Sequence, residues 1–218
     1  MKNPKSKGRQ NSKFTNLLEK IYNFVSESIS VYKINGFEIT NVNGNTEDLS
    51  LGDYSYGKIN LRVYSPHFRL EIGRYTSISE ISIIIGGNHH TDVTTYPFRV
   101  KFHGRPVEND NFLPRSVKIG HDVWIGYGAI ILDGANIGTG AIIGAGAVIR
   151  GNIPPYAVVI GNPGTIIKYR FTQMEIEMLI NSKWWELPRE ALLKIEKLLY
   201  SKDVGAFVSK VQELRNAV

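Results

Sequence analysis

The chain of 218 residues contains no cysteine. Disulfides, thiolate metal sites and a cysteine nucleophile are therefore excluded, and a reducing compartment is expected. Long apolar runs are missing too. No stretch approaches the ~20 consecutive apolar residues that a membrane-spanning helix needs. The basic start is not followed by a signal-peptide core, because FTNLLEKIYNF is broken by Asn16, Glu19 and Asn23. The expectation is a cytoplasmic chain without a transmembrane segment. Acid is absent from MKNPKSKGRQNSK, where Lys2, Lys5, Lys7, Arg9 and Lys13 carry much of the net charge of +6. No aromatics interleave with these charges, so the segment reads as a solvated tail and not a nucleic-acid grip.

What is present is periodic. Phe14, Leu17, Leu18, Ile21, Phe24 and Val25 fall at helical spacing, so residues 1–30 read as a basic tail and an amphipathic helix. From Val31 the chain is strand-rich, and Ile72-Gly73, Ile78-Ser79 and Ile84-Ile85 fall six apart. From Ile119 the count is strict: IGHDVW, IGYGAI, ILDGAN, IGTGAI, IGAGAV and IRGNIP start at 119, 125, 131, 137, 143 and 149. A period of six matches no helix face. It fits a short strand and a tight turn repeated, three units to a triangular coil, each coil burying the next: a hexapeptide β-helix over 31–170. From Ile84 to Ile119 is 35 residues, which six does not divide, so a loop at 86–117 must leave the coil. It begins with GGNHHTDVTTYPF, Gly86 to Phe98. Residues 171–218 read as helices. Thr172 and Glu175 form a capping-box pattern, with Met174, Met178 and Leu179 on the apolar face. A second stripe holds Leu192, Leu193, Ile195, Leu198 and Leu199, and a third helix is expected near Val204 to Leu214. These helices are expected to cover the open end of the coil, where bare strand edges invite aggregation.

The loop GGNHHTDVTTYPF, the run VKIGHDVWIGYGAIILDGANIGTGAIIGAGAVI, the closing GNPGTIIKYRF and the later KWWELP resemble the xenobiotic acetyltransferase family. These are hexapeptide-repeat O-acetyltransferases related to streptogramin and hexapeptide-type chloramphenicol acetyltransferases. The resemblance implies a mainly β, left-handed parallel β-helix, a homotrimer with its sites between subunits, and acetyl-CoA as co-substrate with no metal. It places His89 at the catalytic position and His90 where many relatives carry Arg. It also places Trp124 beside the pantetheine arm, Lys168 and Arg170 near the CoA phosphates, and Tyr54 and Tyr56 on the acceptor site. Gly126, Gly144 and Ala145 are small turn residues where backbone can approach a ligand. Asp92 either orients an imidazole, binds the acceptor or simply forms a turn.

The chemistry suits this arrangement. An alcohol that keeps its proton is a poor nucleophile, and an imidazole can take that proton near neutral pH. The oxyanion that forms needs donors aimed at it, which backbone N–H groups in a Gly-rich turn can supply. The expected acceptor is a sugar hydroxyl in cell-surface polysaccharide or lipopolysaccharide synthesis, and the alternative is an antibiotic hydroxyl. Two other readings are weaker. A β-helical zinc carbonic anhydrase would need a His-x4-His pair, and the five histidines offer none. A non-catalytic scaffold would have no reason to keep His89, Trp124 and Lys168 together.

Overall fold

The computed structural model describes residues 30–41, 48–64, 68–86, 89, 91–104 and 116–216. The basic tail, the expected helix at Phe14–Ser28, and His67, Asn88 and His90 lie outside the described residues. The period of six becomes a three-faced coil. Face one stacks Leu49–Leu51, Leu70–Ile72, Val117–Ile119, Asn136–Ile137 and Asn152–Ile153 in parallel register. Face two stacks the first parts of Tyr56–Val63 and Ser77–Ile85 with Trp124–Ile125, Ile142–Ile143 and Ala157–Ile160. Face three stacks the second parts of the two long strands with Ile130–Leu132 and Val148–Ile149. The coil is the left-handed parallel β-helix of hexapeptide proteins. A hairpin, Ser30–Ile34 and Phe37–Asn41, runs parallel to Gly57–Leu61 and so continues mainly face three at one end, and Thr165–Tyr169 lies antiparallel to Ala157–Ile160 on face two at the other.

Side chains explain the period. The interior is filled by Ile119, Val123, Ile125, Ala129, Ile131, Ala135, Ile137, Ala141, Ile143, Ala147 and Ile149, none more than 3% exposed. The steps alternate four and two: a large residue on each strand, then a small one just past the turn. The recurring Ile-Gly has a steric cause. A Cβ on Gly120 would come within 2.6 Å of Thr139 N, and one on Gly126 within 2.6 Å of Ala145 N. The next coil's turn lies where the side chain would be.

One expectation about register is corrected. Ile84 does not face inward. Ser77–Ile85 bends at Ser79 and Glu80, both exposed, which shifts the inward phase by one residue, so Ile81, Ile83 and Ile85 are buried and Ile84 points out. The step from Ile149 to the next buried isoleucine, Ile153, is shorter than six because that corner turns at Gly151.

The C-terminal helices form as expected, but their place differs. Gln173–Ser182 carries the complete capping box: Thr172 Oγ1 accepts from the Glu175 N–H while Glu175 Oε2 accepts from the Thr172 N–H at 2.8 Å. Its buried face is Ile176 and Leu179; Met174 is exposed, one position off the stripe. The second stripe breaks into Arg189–Lys194 and Glu196–Leu199, burying Leu192 and Ile195 while Leu193 is exposed. Val204–Asn216 is the last helix. Together they cover a corner of the coil and not its end. That corner joins faces one and two, and each level turns through a left-handed residue: Tyr54, Tyr75, Asp122, Gly140 and Tyr156. Backbone N–H groups tie the levels together, Tyr75 to Asp53 O, Asp122 to Arg74 O, Gly140 to His121 O and Tyr156 to Thr139 O. The helices dock on the side chains of this column. Trp184 packs on Tyr75 at 5.5 Å, Trp185 stacks on His121 at 4.8 Å and 12°, and Phe171 meets Tyr156 edge-on. Among the described residues, no helix is long and apolar enough to cross a membrane.

His121 makes this docking sensitive to pH. Its Nδ1 accepts the Arg74 N–H at 3.0 Å, which a protonated ring cannot do. Burial pushes its pKa down from the usual value, Glu186 acts against this and Arg74 adds to it. A histidine depressed on folding contributes stability above its unfolded pKa of ~6.5, and that stability is lost as pH falls through the folded value. The melting temperature should therefore drop on acidification below about pH 6.5, and part of that slope should vanish in His121→Asn. An identical slope in parent and variant would remove His121 from this role.

Candidate functional site

The loop leaves the coil at the corner between faces three and one. Gly86 begins it in the left-handed region, as Gly134 and Gly151 do at the same corner of later coils. Val93, Tyr96, Phe98 and Phe102 are exposed, and the last three rings pack together at 5.0–5.9 Å. Phe98–His103 is a short helix ended by left-handed Gly104. Asp92 is exposed where the segment to Arg99 curls around a cavity of about 450 Å³. Thr94 Oγ1 closes this curl by accepting the Tyr96 N–H at 3.1 Å.

His89 sits exposed on this loop with Nδ1 2.7 Å from the Thr95 carbonyl oxygen. A carbonyl oxygen only accepts, so the contact assigns the proton to Nδ1 and leaves the Nε2 lone pair free. This is the tautomer a general base needs. Among the described residues, it is the backbone of the same loop that orients the ring.

Three expected site residues share one outward column on face two. Register pairs Tyr56 with Ser77, Ser77 with Trp124, Trp124 with Ile142, Ile142 with Val158 and Val158 with Lys168. Directly paired residues project to the same side of a sheet, at ~4.8 Å per strand, so the column runs about 24 Å. Tyr56, Trp124 and Lys168 are exposed along it, and Tyr127 is exposed at the neighbouring turn.

The other expected residues lie elsewhere. Tyr54 turns away from Tyr56 into the helix-covered corner, where it stacks on Tyr75 at 5.1 Å with the Arg74 guanidinium 5.5 Å from both ring centres. Arg170 is occupied inside the chain. It donates to the Gly140 carbonyl at 2.7 Å and to Asp122 Oδ2 at 3.2 Å, and lies over the rings of Tyr156 and Phe171. Burial raises the Asp122 pKa while Arg170 lowers it, so this cation neutralises a half-buried carboxylate. Gly126 and Gly144 are small because coils stack on them; a Cβ on Gly144 would meet the Ile160 side chain at 2.8 Å.

Sequence reasoning missed the space under the helices. Tyr54, Tyr75, Tyr156, Arg170 and Trp184 line a cavity of about 470 Å³ together with leucines of the helices and the carboxylates of Asp122 and Asp203. A signal was there: GDYS at 52–55 and GRYT at 73–76 repeat one turn. A bulky aromatic at both corners of a coil otherwise built from Gly, Ala and Ile implies something packed outside.

Residues 116–151 match the model of the bacterial transferase hexapeptide family (six repeats). The chain is similar to a chloramphenicol acetyltransferase of Agrobacterium fabrum, 39% identical over 145 residues that make up 63% of this chain and 69% of that protein. It is also similar to a probable macrolide acetyltransferase of Lysinibacillus sphaericus, 37% identical over 142 residues, 62% of this chain and 78% of that one. A solved maltose O-acetyltransferase from Clostridium difficile superposes with a TM-score of 0.48 at 26% identity, over 71% of this chain and 76% of that chain. The chain belongs to the hexapeptide-repeat xenobiotic acetyltransferase family, a family of acyl-transfer enzymes.

Proposed function

We propose that this protein is an acetyl-CoA-dependent O-acetyltransferase that passes the acetyl group directly to an acceptor hydroxyl. The observation that carries this reading is the contact between His89 Nδ1 and the Thr95 carbonyl, which leaves Nε2 ready to accept a proton. Nε2 takes the hydroxyl proton as that oxygen attacks the thioester carbonyl carbon. Collapse of the intermediate breaks the C–S bond, and the imidazolium returns its proton to the departing thiolate. The products are an acetyl ester and free CoA, with His89 restored. No covalent enzyme intermediate is needed.

The column on face two fits the two substrates end to end. Tyr56 suits the acceptor, Trp124 the pantetheine arm and Lys168 the CoA phosphates. Arg170, bound to Asp122, leaves Lys168 as the available cation of the pair. In a triangular coil, the corner that launches the His89 loop is opposite face two. This supports a homotrimer in which the loop of one copy meets face two of the next.

Relatives named for chloramphenicol and macrolides favour an antibiotic hydroxyl as acceptor over the sugar hydroxyl expected from sequence. The exposed aromatic rings of Tyr56 and Tyr127 suit a large, partly apolar acceptor. The test is thiol release from acetyl-CoA with chloramphenicol, a macrolide and a streptogramin set against sugar nucleotides and oligosaccharides. Turnover confined to the saccharides would reverse the assignment. With the active acceptor, Lys168→Ala should raise KM for acetyl-CoA about tenfold, the loss of one charge-assisted contact, and leave kcat little changed. An unaltered KM would remove Lys168 from the phosphate site.

A further inference from the structure

The ring of His89 is held through Nδ1, 2.7 Å from the Thr95 carbonyl oxygen, so whatever fixes that carbonyl fixes the ring. Thr95 C=O and Tyr96 N–H belong to one planar peptide unit and point in opposite directions. The far side of this unit is tied down, because the Tyr96 N–H donates to Thr94 Oγ1 at 3.1 Å. Pro97 follows Tyr96 and restricts its backbone to extended conformations. The Tyr96 ring meets Phe98 edge-on with centroids 5.0 Å apart and Phe102 at 5.9 Å, and those two rings stack at 5.5 Å. Both belong to Phe98–His103, in which no residue is buried. Six residues are well short of the ~12 at which a helix becomes even marginally stable alone, and none of these six joins the core cluster of the coil. Tyr96, Phe98 and Phe102 are 49%, 51% and 67% exposed. Burial in the core therefore does not explain three large rings here. What they do within the chain is grip one another, and with them the peptide that carries the Thr95 carbonyl.

We infer that Thr94, Tyr96 and Phe102 are positioning residues for acetyl transfer: the Thr94 hydroxyl and the ring cluster clamp the Thr95–Tyr96 peptide, whose carbonyl keeps the His89 proton on Nδ1 and so leaves Nε2 as the base. The inference rests on the reading of His89 as that base. None of the three residues has to touch either substrate. With the clamp released, the peptide can rotate, its carbonyl leaves Nδ1, and both tautomers of the ring become populated. The tautomer with its proton on Nε2 has no lone pair for the acceptor hydroxyl, so that fraction of the protein is inactive.

The test compares Thr94→Val, which keeps the shape of the side chain and removes its acceptor, with Thr94→Ser, which keeps the acceptor. Two readouts are taken on the full-length protein. The first is independent of turnover: imidazole nitrogen-15 spectra of histidine-labelled protein at about pH 8.5, above the ordinary histidine range. The His89 signals are those lost in His89→Ala. The parent and Thr94→Ser should show a protonated Nδ1 and a bare Nε2, and Thr94→Val a mixture of tautomers. The second is steady-state kinetics with the active acceptor. Thr94→Val should lower kcat about tenfold, the worth of one hydrogen bond. KM for both substrates and the melting temperature should hold, since Thr94 is exposed. Phe102→Ala, which removes two of the three ring contacts, should lower kcat in the same way. A parent tautomer pattern in Thr94→Val, or Thr94→Ser as impaired as Thr94→Val, would overturn the clamp. A raised acceptor KM at unchanged kcat in Phe102→Ala would overturn the role given to the rings, by making them a surface for the acceptor. A tautomer shift without loss of kcat overturns the positioning role if His89→Ala is inactive. If His89→Ala is fully active, the same shift upholds the clamp and overturns His89 as the base, so the two failures are told apart.

Discussion

His89→Ala should lower kcat by about 10³-fold, the middle of the range for a positioned general base, with KM for acetyl-CoA changed less than about twofold. The ring is exposed and its hydrogen bond goes to a loop carbonyl, so little packing is lost and the melting temperature should hold. This separates a catalytic defect from a folding defect. A structural histidine would give the opposite pattern, a lower melting temperature with kcat preserved. The direction of the hydrogen bond adds a second test. Because Nδ1 faces the Thr95 carbonyl, only Nε2 can serve as the base. A glutamine at 89 can place an amide near the same carbonyl but cannot accept a proton, so His89→Gln should be as inactive as the alanine variant. If the site forms between copies, subunits carrying His89→Ala mixed with subunits carrying Lys168→Ala should, at acetyl-CoA well below KM, exceed the mean activity of the two unmixed variants, since some interfaces then join an intact loop to an intact face two. A His89→Ala enzyme within tenfold of the parent would sink the proposed mechanism.

The coil was legible because its physics is local and repeated. Every sixth residue must be aliphatic to fill the interior, and the residue after it must lack a Cβ because the next turn occupies that space. Both demands leave marks in one dimension, so Ile119 to Ile149 could be placed without coordinates. Ile84 was misplaced because the bend at Ser79 and Glu80, both exposed, shifts the inward phase by one residue, from Ile78 to Ile81, Ile83 and Ile85, and isoleucine stands on both phases. The capping box was legible because Thr172 and Glu175 are three residues apart. The docking of the helices was not. Trp184 and Trp185 meet Tyr75 and His121, partners 109 and 64 positions away, and nothing in KWWELP names them. Arg170 shows the same limit. As a sequence feature it is a basic residue beside Lys168. Only the fold brings Asp122 and Gly140 to it from two successive turns of one corner. The loop lies between these cases. Its residues were singled out, but the hydrogen bond to Thr95 that fixes the tautomer depends on how the chain curls.

Two glycines in one turn should respond to very different degrees to the same added methyl group. Gly126→Ala should cost about 3 kcal/mol or more, at the upper end for overpacking, and should lower the yield of folded protein. Its Cβ would come within 2.6 Å of Ala145 N and 3.0 Å of Ala145 Cα. These are backbone atoms of a turn held by the Gly146 N–H to the Tyr127 carbonyl and by the Gly144 N–H to the Val159 carbonyl, so no side chain can swing aside. Gly128, two residues later, has φ +71° and nothing within 4 Å of its would-be Cβ. Alanine there meets only the left-handed backbone penalty, about 1 kcal/mol. That cost is tolerable in a coil that already accepts Tyr54, Tyr75, Asp122 and Tyr156 in the same conformation. Thermal unfolding of the two variants measures the difference directly. The result also decides why Gly126 is glycine. If it is small so that CoA can approach, Gly126→Ala should fold like the parent and lose affinity for acetyl-CoA. If it is small because a coil must stack on a coil, the loss falls on stability, and Gly120→Ala, pressed against Thr139 in the same way and away from face two, should lose as much.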